Sequence, residues 1–140
     1  MHKQRVTGLP LRLRGVLVLM CAEAVSLAVV SPLHLTGLLQ GGRDAGTAEA
    51  VIGAALVWGA VSVLRSTPHW RAVALGTTAF AIVGFAYGLS VTSQSGTVPD
   101  VAYHSAVLPV LLLTFGLIAR SGPSSAGPRL RHSLGWPIFG

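Results

Sequence analysis

The chain alternates between long apolar stretches and short polar ones. Four predominantly apolar stretches are separated by segments that hold most of the charged and turn-forming residues, and they cover 15–35, 46–64, 72–92 and 101–119. A helix needs about 20 such residues to cross a hydrocarbon core about 30 Å thick. A helix that is apolar on all faces must be buried or face lipid. The pattern therefore predicts an all-α, polytopic membrane protein.

Charged residues are scarce inside these predicted spans. Only 10% of the chain is charged, whereas ordinary soluble domains are about 25% charged. The charges within the spans are Glu23 and Glu49. Because the connections between spans are short, neighbouring helices are predicted to form an antiparallel four-transmembrane-helix bundle over 15–120. We expect 1–14 to be a basic cytoplasmic segment and the Ser-, Gly- and Pro-rich segment 121–140 to be a flexible cytoplasmic tail.

The first span also has features of a secretory signal peptide, because basic residues precede an apolar run. The run is long for a signal sequence, it contains Glu23, and no clear small-x-small cleavage site follows it. We therefore expect this span to be a retained helix.

The basic residues predict the orientation of the bundle. All Lys and Arg residues except Arg43 lie in segments that would share one side of the membrane. By the positive-inside rule, both ends are predicted to be cytoplasmic in a bacterial plasma membrane. The formal net charge of +6 is then explained by anionic lipid headgroups, and the dispersed basic residues do not indicate a nucleic-acid partner. The single cysteine, Cys21, can form no intramolecular disulfide.

Small residues at helical spacing predict where helices approach closely. Gly84 and Gly88 form a GxxxG pattern, with Gly76 near the same face, and Ala55 and Gly59 form a small-xxx-small pair on the second span. Such residues let backbones pack closely within lipid. The contact is predicted either inside the bundle or with a second copy or another membrane protein.

Glu23 is an ionisable residue at membrane depth, where such residues are costly and are functional candidates by default. One interpretation is a neutral carboxylic acid that is hydrogen-bonded between helices. Polar side chains at matching depth that offer partners are Trp58, Thr77, Thr78 and Thr114. The other interpretation is a relay for protons or cations.

Two imidazoles and two carboxylates are predicted to lie together near the outer surface: His34, Glu49, Asp100 and His104. Such a cluster can bind a small ligand or a divalent transition metal, and two histidines from different helices can hold a b-type haem. A purely structural interpretation makes Asp100 an N-cap, places Glu49 in the first turn of its helix and places His34 at a helix carboxy end. His104 should then be neutral, with Asp100 as its nearest partner.

Short segments of the chain resemble small uncharacterised bacterial membrane proteins with four helices. The resemblance lies in His-Leu-Thr-Gly at 34–37, Ala-Glu-Ala-Val-Ile-Gly at 48–53, Pro-Asp-Val-Ala-Tyr-His at 99–104 and Leu-Pro at 108–109. In size and helix count the chain is also similar to DoxX-like proteins. The resemblance covers roughly 15–120 and implies a fold and a location, but no activity.

The function predicted from these features is binding of a small ligand, metal or partner at the outward cluster of an integral membrane protein. The chain contains no GxxxxGK[ST], GxSxG, HExxH or CxxC motif, so the sequence gives no support to an enzyme. One alternative is a small transporter or proton-coupled component that uses Glu23 and the cluster. Another is a structural subunit of an envelope complex that docks through the glycine stripe.

Overall fold

The computed structural model describes residues 9–39 and 42–122, and these form four α-helices. The helices are α1 (Leu11–Leu35), α2 (Gly42–Leu64), α3 (Trp70–Ser95) and α4 (Val98–Arg120). The predicted all-α class is confirmed, and each helix is long and apolar enough to cross a membrane. Most of the predicted amino-terminal segment and nearly all of the predicted tail lie outside the described residues.

The helices begin earlier than the apolar stretches do. α1 begins at Leu11 and not at residue 15, and α2 begins at Gly42 and not at residue 46. Polar and charged side chains are tolerated in these first turns because they are exposed, as Arg12 and Arg14 are. Hydropathy marks the apolar length of a helix, whereas backbone hydrogen bonding sets its full length.

Two predicted positions at helix starts are wrong, because α2 and α4 begin earlier than their apolar stretches. Asp100 is not the N-cap of α4: the N-cap is Thr97, Pro99 lies in the first turn, and Asp100 is the third helical residue. Proline is favoured at this point because it has no backbone N–H to leave unpaired. Glu49 lies beyond the first turn of α2, where Asp44 is the acidic residue. The helix dipole therefore does not explain the burial of Glu49.

The helices pack so that α1 and α3 each contact both α2 and α4. Contacts near the helix ends join the carboxy end of α1 to the amino end of α2, and the amino end of α3 to the carboxy end of α4. In the first, Ser31 Oγ donates to the carbonyl oxygen of Gly46 at 2.7 Å. In the second, Arg71 Nη2 donates to the carbonyl oxygen of Ala119 at 2.6 Å.

A narrow apolar core fills the space between the helices. Its largest fully buried side chains include Met20 and Leu27 of α1, Leu56 of α2, Phe85 of α3 and Leu111 of α4. Buried polar side chains also lie between the helices, and these position the site described below.

The outward faces of the helices are apolar as well. Large hydrophobic side chains are exposed on every helix, among them Val25 on α1, Trp58 on α2, Val83 on α3 and Leu112 on α4. Surface apolar residues are common singly, but contiguous apolar surface marks an interaction with a membrane or a partner.

Gly46 lies at a close approach between α1 and α2. A Cβ atom at Gly46 would lie 2.8 Å from both the Ser31 carbonyl oxygen and the Leu35 Cγ. Because the first of these is a backbone atom, no side-chain rotation can relieve the contact. The absence of a side chain at Gly46 therefore permits the helix spacing that brings the amino half of α2 against the end of α1.

The small residues singled out in the sequence occupy different environments. A Cβ at Gly84 would meet the Ile52 side chain at 2.5 Å, and one at Gly88 would meet His104 Nε2 at 2.6 Å. Gly59 is in similarly close contact with α1 and α3 through Met20 and Thr77.

Two other predicted packing positions differ from these. A Cβ at Gly76 would have no neighbouring atom within 4 Å among the described residues, and Ala55 is only partly buried. Close approach by the glycines of α3 is thus confined to its second half, where the contacts are within this chain.

Candidate functional site

His34, Glu49, Asp100 and His104 line one cavity of about 310 Å³. The first comes from the carboxy end of α1, the second from α2, and the last two from the amino end of α4. Residues of the second half of α3 form the remaining wall. The cavity is thus built from all four helices, at the end of the bundle where α1 and α3 finish and α2 and α4 start.

The imidazole of His34 lies between two carboxylates. Its Nδ1 is 2.8 Å from Glu49 Oε2 and its Nε2 is 3.6 Å from Asp100 Oδ1. All three residues are buried. His34 therefore links α1 to α2 by a short hydrogen bond to Glu49 and lies close to the Asp100 carboxylate of α4.

The second oxygen of the Asp100 carboxylate accepts hydrogen bonds from the residue that precedes α4. Thr97 Oγ1 donates to Asp100 Oδ2 at 2.7 Å, and the Thr97 backbone N–H approaches the same oxygen at 3.4 Å. These contacts hold the carboxylate so that its first oxygen faces His34. The predicted partnership of His104 with Asp100 is confirmed, and it is made through the Asp100 backbone carbonyl oxygen and not through the carboxylate.

His104 uses one ring nitrogen and leaves the other facing the cavity wall. Its Nδ1 lies 2.9 Å from the Asp100 carbonyl oxygen, which can only accept, so Nδ1 carries the hydrogen. In the neutral tautomer that carries this hydrogen, Nε2 is an acceptor, and it lies against Gly88. Phe85 and Tyr103 pack against this ring, with ring centroids 5.2 and 5.7 Å away.

The cavity is lined by apolar as well as polar side chains. Ile52 and Phe85 are buried members of its lining, and Asp44 and Ala48 of α2 and the 72% exposed Tyr87 of α3 are exposed members. The arrangement offers an acidic head site next to an apolar compartment.

The same geometry bears on the metal and haem hypotheses. Within residues 9–39 and 42–122, no group of three or more His, Cys, Asp or Glu side chains is placed to hold a metal ion. Both nitrogens of His34 already face carboxylates, so ligation by His34 would require breaking one of these contacts.

Glu23 lies apart from the cavity and faces Thr114 of α4. The two oxygens Glu23 Oε1 and Thr114 Oγ1 are 3.1 Å apart, and Thr114 Oγ1 also lies 2.9 Å from the Val110 carbonyl oxygen. The Thr114 hydroxyl donates to Glu23 Oε1 and is shared with the Val110 carbonyl oxygen of its own helix. Within the described part of the chain, no atom is hydrogen-bonded to Glu23 Oε2. This geometry favours the interpretation of Glu23 as an interhelical hydrogen-bonding contact.

The other candidate partners of Glu23 are turned elsewhere. The Trp58 side chain is 66% exposed. Thr77 and Thr78 both donate to the Ala74 carbonyl oxygen of their own helix.

Several residues that shape the site were missed in the sequence. Gly46 and Ser31 set the spacing of α1 and α2, and Phe85 and Tyr103 pack around His104. A signal for the first pair was present, because Ser31 precedes His34 by the same three residues that separate Gly46 from Glu49. Nothing in the chain pattern distinguished Phe85 or Tyr103 from other apolar residues of their helices.

Comparisons of the chain with family models, with curated proteins and with solved structures find no match. The resemblance to small four-helix bacterial membrane proteins stays a prediction.

Proposed function

We infer that this protein is a multi-pass membrane protein whose four helices run antiparallel through the bilayer with both ends cytoplasmic. Four apolar helices with large exposed hydrophobic side chains support insertion. Hydrogen bonds that join opposite ends of α1 and α2, and of α3 and α4, support the alternating direction. The distribution of Lys and Arg supports the orientation in a bacterial plasma membrane.

Its proposed function is to bind a small molecule in the cavity, which in this orientation lies in the outer half of the membrane. The observation that carries this proposal is the convergence of four buried ionisable side chains from three helices on one cavity of about 310 Å³. Ligand sites are concave and mostly apolar, with a few convergent polar groups. Burying such groups is costly, and the helix dipole does not account for Glu49.

The alternative of an envelope subunit that docks through the glycine stripe loses its main support. Gly84 and Gly88 lie against Ile52 and His104 of this chain, so their close-packing surfaces are already occupied. Of the three glycines of the stripe, Gly76 is the exposed one.

Native mass spectrometry of protein released gently from its own membranes tests the proposal. We expect a small molecule to remain bound to the wild-type protein. Ala48→Trp should abolish this bound mass because Ala48 is an exposed residue on the cavity rim, where a large side chain fills the opening without disturbing the core.

Val51→Trp is the matched control, since Val51 is exposed on the same helix and does not line the cavity. It should retain the bound mass. A wild-type protein that is empty, or a bound mass that Ala48→Trp leaves unchanged, contradicts ligand binding in this cavity.

A further inference from the structure

We propose that the cavity binds a small organic ammonium ion with an apolar body, its ammonium group beside Glu49 and His104 and its body against Phe85 and Ile52. This rests on the proposed function and names the class of ligand. It follows from the hydrogen-bonding roles that the cavity leaves open.

The polar groups of the cavity wall offer acceptors and almost no donors. Both ring nitrogens of His34 face carboxylates, those of Glu49 and Asp100, and the Nδ1 hydrogen of His104 goes to the Asp100 carbonyl oxygen. The hydroxyl of Thr92 donates to carbonyl oxygens of its own helix. The remaining acceptors are Glu49 Oε1, the Asp44 carboxylate and His104 Nε2. A ligand that satisfies such a wall must bring hydrogen-bond donors.

The charge of the wall points to a cation. Among the described residues, the cavity is lined by three carboxylates and two imidazoles and by no Lys or Arg. Glu49 and Asp100 share the one imidazole of His34, and an ammonium group supplies both a balancing positive charge and hydrogen-bond donors.

His104 gives evidence for a ligand that does not depend on the acidic residues. Its side chain is only 8% exposed, and no atom in the described part of the chain is hydrogen-bonded to Nε2. The ring is held by Asp100, Phe85 and Tyr103, so the lone pair cannot turn to another partner. Because His104 lines the cavity, a donor that enters the cavity can bond to this nitrogen.

The rest of the cavity suits an apolar body of limited size. A volume of about 310 Å³ is at the lower end of the range for ligand cavities, roughly 300–1,000 Å³. The aromatic ring of Phe85 is a surface that attracts cations as well as apolar groups. The exposed residues Val91 and Tyr87 of α3 also line the cavity, which suits a molecule that is partly apolar.

Three compounds of similar size and different charge test the class of ligand: benzylamine, benzyl alcohol and benzoate. Isothermal titration of the full-length protein in detergent should show binding of benzylamine at least about tenfold tighter than benzyl alcohol, since hydrogen bonds to charged groups contribute about 1.5–3 kcal/mol. Benzoate should bind more weakly than the alcohol. Zinc ion alone should give no binding.

Asp44→Asn separates the charge effect from folding. Asp44 is exposed at the cavity rim, so this variant should fold normally and weaken benzylamine several-fold while leaving benzyl alcohol unchanged. His104→Phe keeps an aromatic ring but removes the acceptor, and it should weaken both compounds. Ala48→Trp should abolish binding of either one.

The outcomes separate this inference from the proposed function. Equal binding of the three compounds, tighter binding of benzoate or no binding of benzylamine overturns the ammonium assignment. If native mass spectrometry still shows a small molecule that Ala48→Trp removes, the proposed function survives that result. If benzylamine does not bind and native mass spectrometry shows no bound small molecule, both the ammonium assignment and the proposed function are contradicted.

Discussion

At the scale of single residues, the site depends on two glycines that let groups of a neighbouring helix approach closely. Gly88 accommodates the His104 ring, and Gly46 accommodates the Ser31 carbonyl oxygen and the Leu35 side chain. In lipid, where no hydrophobic force drives helices together, close packing and interhelical hydrogen bonds hold a bundle. These glycines therefore affect the chemistry of the cavity as well as stability.

Gly88→Ala is expected to destabilise the protein by about 1–3 kcal/mol, the usual cost of overpacking a core. The new Cβ would lie 2.6 Å from His104 Nε2, and the ring cannot retreat because it is bonded to Asp100 and packed on Phe85. The change is measured as the shift in the free energy of unfolding in detergent.

Gly76→Ala is the matched control on the same helix. A Cβ there meets no atom of the described chain within 4 Å, so this variant should be neutral or gain up to about 1 kcal/mol from helix propensity. Equal effects of the two substitutions would contradict the placement of His104 against Gly88.

At the scale of the helices, the cavity forms because α1 and α2 approach closely near their joined ends. The Ser31 hydroxyl bonds to the Gly46 carbonyl oxygen, and one turn further along each helix His34 meets Glu49. The spacing of the two helices and the ion pair are therefore one structural unit. Glu23 and Thr114 join α1 to α4 in a similar way at greater depth.

Gly46→Ala should therefore affect binding as well as stability. The added Cβ meets a backbone atom of α1, so the helices must separate, and we expect a cost at the upper end of about 1–3 kcal/mol together with weaker binding in the cavity. Unfolding in detergent and native mass spectrometry of the bound ligand measure the two effects.

Gly53→Ala provides the comparison at the same helix pair. Its Cβ would lie 3.3 Å from Leu27 Cβ, a contact that a small adjustment relieves, so the cost should be smaller and the bound ligand should remain. A Gly53→Ala variant that is as unstable as Gly46→Ala would argue against the specific role of Gly46.

At the scale of the whole molecule, the apolar exterior and the placement of charges predict a single arrangement in the membrane. The connection between α1 and α2 should face outward, and the connection between α2 and α3 should face the cytoplasm. Because Leu38 and His69 are exposed in these two connections, they are suitable positions for labelling.

In a Cys21→Ser background, Leu38→Cys should react with a membrane-impermeant maleimide in intact bacterial cells. His69→Cys should react only after the cells are opened. The opposite pattern would invert the proposed orientation, and labelling of both in intact cells would contradict the membrane topology.

The order of residues along the chain was enough to predict the four helices and four of the residues that line the cavity. Apolar length is a local property that can be counted along a chain, so the helices were predicted to within a few residues. The alternating direction of the predicted helices also placed four residues at the same end of the bundle: His34, Glu49, Asp100 and His104. The helix starts were missed because exposed polar residues extend a helix without contributing to its apolar length.

The contacts that each of those residues makes follow from how the helices pack against one another. The tertiary structure places His34 between two carboxylates, bonds His104 to a backbone carbonyl and sets Nε2 of His104 against Gly88. It also separates Gly88, in close contact with His104, from the exposed Gly76. Such roles depend on differences of a few tenths of an ångström in the spacing between helices and on the rotation of each helix about its axis. Neither quantity is encoded in residue spacing along one helix, because both arise from the packing of all four.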